Sequence, residues 1–60
     1  MDKQLIIDKM VDARKLTDEA LGIAYGVQNL HARYELVEPL EQALDAIDAL
    51  LNYLEDNSND

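Results

Sequence analysis

The stretch ELVEPLEQALDAIDALLNYLED, residues 35–56, decides the architecture. Leu40, Leu44, Ile47, Leu51 and Leu54 recur at steps of four and three. Such steps bring side chains to one side of a helix. Ala43 and Leu50 widen the stripe beyond a narrow seam, toward the core of a bundle. Pro39 disfavours helical geometry at Glu38 and is well suited to a first helical position. The expected second helix therefore runs from Pro39 to about Glu55, after a turn within Tyr34 to Glu38. The polar tail EDNSND is expected to fray, which sets a single domain at 1–55 and a tail at 56–60.

Upstream, Leu16, Ala20, Ile23, Val27, Leu30, Tyr34 and Val37 continue the same alternation of four and three. It extends backward through Ala13, Met10 and Ile6. This is the seam of helices packed at a shallow angle. It predicts one long first helix over residues 2–33, about 48 Å at 1.5 Å per residue. The competing reading breaks or kinks that helix within residues 16–26. Thr17 before Asp18 and Glu19 resembles an N-cap followed by acids, and Gly22 and Gly26 each weaken a helix by about 1 kcal/mol relative to alanine.

A helical hairpin of unequal arms leaves the start of the first helix uncovered. That part carries Leu5, Ile6, Ile7, Met10 and Val11 around most of its circumference. An exposed apolar patch marks an interface. Sixty residues bury little surface, and with no cysteine and one histidine neither disulfides nor a metal can staple the fold. Association of copies is the support that remains. The expected fold class is all-α, a homo-oligomeric helical bundle, simplest as a dimer of hairpins with four helices around one core. Leu5, Ile6, Met10, Leu16, Ile23, Val27 and Leu30 are the expected oligomer contacts. In length and hairpin plan the chain resembles the small plasmid Rop proteins, homodimeric four-helix bundles that bind RNA hairpins. The resemblance is one of plan, without a shared motif, and the basic helix face that RNA binding needs is acidic here.

Charge is divided unevenly. Residues 1–33 carry five acids and five bases, whereas residues 34–60 carry eight acids and no base, so the net charge of −8 belongs to the second half. A chain this acidic is not expected to bind nucleic acid or anionic membranes directly. No apolar run reaches the ~18 residues of a membrane span, and the start does not read as a signal peptide, so a cytoplasmic setting is expected. At about 100° per residue, Glu38, Glu41, Asp45, Asp48, Asn52 and Glu55 share one flank of the second helix. Like charges at this spacing cost a few tenths of a kcal/mol per pair. A bland account makes the row a solvated face that keeps a small oligomer soluble. The functional account makes Glu38, Glu41, Asp45, Asp48 and Glu55 a docking surface for a basic protein. In style the chain resembles small acidic phage or mobile-element products that disarm host nucleases or DNA-binding factors.

A second constellation lies in LGIAYGVQNLHARYE, residues 21–35. Gly22, Tyr25, Gly26, His31, Arg33 and Tyr34 form a candidate ligand pocket, in which stacking and a guanidinium fork would suit a nucleotide-like anion. The plainer account has the glycines relieve crowding, Tyr25 fill a groove and Arg33 snorkel. His31 with Glu35 and Glu38 lacks the Glu-x-x-His spacing of bundle metal sites, so no metal and no cofactor are expected. The carboxylates lie on an exposed flank, and neither a Ser–His–Asp set nor a phosphate loop is present. The reading is of a non-enzyme that works by protein–protein binding as adaptor or inhibitor. Sequestration of a nucleotide-like ligand at an oligomer interface and a purely structural assembly role are the alternatives.

Overall fold

A computed structural model describes residues 2–56. Two antiparallel helices, α1 (Lys3–Tyr25) and α2 (Leu30–Asp56), pack along their length as a hairpin. The expected plan holds at that level. Its proportions do not: α2, with 27 residues, is longer than α1, with 23. The turn lies at 26–29 rather than at 34–38, and Pro39 sits inside α2.

Local chemistry accounts for both corrections. At the end of α1 the Gly26 and Val27 amides donate to the Ile23 and Ala24 carbonyls at 3.0 and 3.1 Å, a tightened last turn. Asn29 then starts α2. Its Oδ1 accepts from the Ala32 amide at 2.9 Å, and its carbonyl accepts from the Arg33 amide at 2.9 Å. That is N-capping, worth about 1 kcal/mol. A cap ten residues before the proline fixes the helix start, and Pro39 is carried on an exposed flank at the loss of one backbone hydrogen bond. At the other end Asp2 caps α1, its carboxylate accepting from the Leu5 amide at 3.1 Å. Thr17 does not break α1. Its hydroxyl donates to the Ala13 carbonyl one turn back, at 2.7 Å, so it is a helix-interior threonine rather than a cap.

The seam also differs from expectation. On α1 it is lined by Ile6, Met10, Ala13, Thr17, Leu21 and Ala24, of which Leu21 and Ala24 are buried. On α2 it is lined by Val37, Leu40, Leu44, Ile47, Leu51 and Leu54, of which Leu51 and Leu54 are buried. Leu16 and Ile23, members of the expected seam, remain 64% and 76% exposed. The turn at 26–29 lets α2 reach back over the start of α1. Ile6, Ile7 and Met10 are thereby half-covered instead of bare, while Leu5 and Val11 stay exposed. The polar tail lies outside the described residues except for Asp56, which closes α2. No helix among the described residues is long and apolar enough to cross a membrane.

The hairpin is a rod with principal extents of 47 × 15 × 13 Å and a radius of gyration of 14.2 Å. A compact domain of this length would have a radius of about 10 Å. Two helices side by side can cover only one stripe of each.

Candidate functional site

Arg14 orients the faces of the rod. Its guanidinium Nε donates to Asp48 Oδ1 at 2.5 Å, bridging α1 and α2 over one side of the seam. Asp48 belongs to the acidic row, so this ion pair marks the acidic side. Glu38, Glu41, Asp45, Asn52 and Glu55 all fall on that flank of α2 and all are exposed. Arg14 and Asp48 are each about half exposed, so the pair contributes on the order of 0–1 kcal/mol and serves mainly as a positional marker.

Two clefts open on this side. One, of ≈ 580 Å³, lies between the middle of α1 and the last turns of α2 and is lined by Val11, Arg14, Lys15, Asp18, Asp48, Leu51, Asn52 and Glu55. Its charges are mixed, with Arg14 and Lys15 facing Asp18, Asp48 and Glu55. The second, of ≈ 260 Å³, lies at the turn end and is lined by Tyr25, Leu30, Arg33, Tyr34, Val37 and Glu41.

Three of the six residues expected to form a ligand pocket therefore converge: Tyr25, Arg33 and Tyr34. Gly22, Gly26 and His31 do not line that cleft. Gly22 faces open space, with nothing within 4 Å of a Cβ placed on it, and Gly26 belongs to the end of α1. His31 Nε2 lies 3.0 Å from Glu35 Oε1 on an exposed turn of α2. Within the cleft, Arg33 Nε is shielded from solvent and has no hydrogen-bond partner. Leaving such a donor unmet costs on the order of 1–3 kcal/mol. Among the described residues no group of three or more His, Asp or Glu side chains is placed to hold a metal ion.

The expected oligomer contacts are divided by the fold. Ile6 and Met10 are spent on the seam within the chain. Val27 is half-buried in the turn, and Leu30 lies on the acidic side at the second cleft. Leu5, Leu16 and Ile23 remain exposed on the flank of α1 away from the Arg14–Asp48 bridge. Their counterpart on α2 was read only in part from the sequence: Ala43 and Leu50 were expected to widen the stripe, whereas Leu36 was missed. Leu36, Ala43 and Leu50 recur every seven residues, one position before the seam residues Val37, Leu44 and Leu51, and all three are exposed. The signal was present as a second run with steps of four and three, Ala32, Leu36, Pro39, Ala43, Ala46, Leu50, Tyr53. The expected helix start at Pro39 concealed its first half. No family model, no curated protein and no solved structure matches the chain.

Proposed function

We propose that the protein acts by protein–protein binding, presenting the acidic flank of α2 to a basic partner such as a nucleic-acid-binding protein, which it would recruit or block. The observation that carries this reading is the segregation of charge. Glu38, Glu41, Asp45 and Glu55 stand exposed on one flank of α2, no base follows Arg33 in the sequence, and Arg14 of α1 reaches across to Asp48 with Lys15 in the same cleft. Carboxylates spaced along a rod are suited to steering a cationic surface and fixing its register. The test is a triple charge reversal, Glu41→Lys, Asp45→Lys and Glu55→Lys, which leaves the Arg14–Asp48 bridge in place. Immobilised wild-type protein should retain a basic protein from its native host, and the retained protein should be released by salt. The triple variant should retain none of it. Equal retention by both would refute the reading.

A second reading is favoured by the orphaned Arg33 Nε beside Tyr25 and Tyr34. A nucleotide-like anion could supply the missing acceptor and stack on a tyrosine, and sequestration would be the function. Glu41 on the same cleft works against an anion. A thermal-shift panel of nucleotides decides this: a true ligand at 100 times its dissociation constant stabilises by about 2.7 kcal/mol. If neither experiment gives a signal, the role is assembly alone.

A further inference from the structure

The flank opposite the acidic row raises a separate question, because large apolar side chains of both helices stand exposed on it. Leu5, Leu16 and Ile23 of α1 and Leu36, Ala43 and Leu50 of α2 lie there, all exposed. A helical projection sets these two sets on the same side of the hairpin, away from the Arg14–Asp48 bridge. We propose that this open face is covered by the same face of a second copy of the chain, making a four-helix dimer with the acidic flanks outward.

Several observations select a second copy as the occupant. The face runs from Ile23 and Leu36 near the turn to Leu5 and Leu50 toward the other end, about 30 Å of the 47 Å rod. A cover must be a helical pair of the same length. A face about 30 Å long and about 20 Å wide, two helix diameters, gives on the order of 600 Å² per copy. Twice that reaches the range of stable interfaces, which begins at about 1,200 Å². The exposed area agrees. The chain shows 4660 Å² to solvent, whereas a folded monomer of 6.8 kDa is expected to show about 4,000 Å².

Charge permits the pairing. Two chains of net charge −8 repel, yet the acidic row of α2, Glu38, Glu41, Asp45, Asp48 and Glu55, points away from this face. Lys9, Asp12 and Glu19 are the ionic groups of α1 that project among Leu5, Leu16 and Ile23, so each copy brings a net charge of only −1 from α1 to the face. Helix pattern agrees as well. A helix with one neighbour needs one apolar stripe, and α2 carries two adjacent stripes, as a bundle helix with two neighbours does.

Sedimentation equilibrium from 1 to 100 µM tests the proposal on the full chain. The wild type should run at twice 6.8 kDa. Leu16→Glu and Leu50→Glu should run at the mass of one chain, folded or not, because neither side chain is buried within the hairpin. Leu30→Glu, on the acidic side, should remain dimeric. Leu16→Ala removes contact while favouring helix, so a folding defect is not its expected effect; it should weaken dimerisation tenfold or more. A wild type that stays a folded single chain throughout overturns the proposal. So does retention of full dimerisation by the Leu16 and Leu50 variants, or equal dissociation by Leu30→Glu. These outcomes are independent of whether the acidic flank binds a basic partner.

Discussion

Pro39 is the residue whose replacement should be most informative. It is the tenth residue of α2, exposed, with helix on both sides. Its ring removes the amide that would bond to the Glu35 carbonyl and crowds that carbonyl. Interior proline costs about 3 kcal/mol relative to alanine. Pro39→Ala also frees the unfolded chain, which returns about 0.4–1 kcal/mol to the unfolded side. The net expectation is a stabilisation of about 2 kcal/mol. For a chain of this size that corresponds to a rise in Tm of about 10 °C. Circular dichroism at 222 nm, with wild type and variant melted at one matched concentration, reads the shift without a mass-action artefact. If Pro39 instead opened a helix, its fixed φ would be an asset and its missing amide harmless. The substitution would then leave Tm unchanged or lower it. Either result would refute the placement of the turn at 26–29 and the continuity of α2.

Three further substitutions probe the same framework. Asn29→Ala removes the cap on the Ala32 amide and should cost about 1 kcal/mol in urea unfolding at pH 7; no loss would mean that Asn29 does not start α2. Gly22→Ala places a methyl group in open space on a helix interior and should add about 1 kcal/mol by the same assay, with a loss indicating an unseen neighbour. Leu51→Ala empties a buried position of the seam and should cost about 2–3 kcal/mol, whereas a change below 0.5 kcal/mol would place Leu51 outside the core.

Much of the hairpin was legible because α2 carries its apolar residues with unbroken regularity from Leu40 to Leu54. What sequence reasoning misjudged was the turn. Proline is the stronger breaker in isolation, so the turn was assigned to the residues before Pro39. Asn29 outweighs it through a hydrogen bond that four residues of sequence hardly advertise. The error propagated. Displacing the turn by about eight residues shortens α1, lengthens α2 and shifts which stripe of α1 meets its partner. Leu16 and Ile23 then leave the seam, and Leu21 and Ala24 enter it. The acidic row survived the shift, because it is defined within α2 and needs no register with α1. Of the candidate pocket residues, three share one cleft. Tyr25, Arg33 and Tyr34 line the cleft at the turn, whereas Gly22, Gly26 and His31 do not.

The account depends on a hairpin with one flank closed by association and the opposite flank open. Backbone amide spectra recorded with a soluble gadolinium complex measure this residue by residue. Amides at Leu16, Ala20, Ala43 and Ala46 should be shielded, and those at Gly22, Glu41 and Asp45 should be strongly broadened. Equal broadening of both sets, or shielding confined to the acidic flank, would contradict the account.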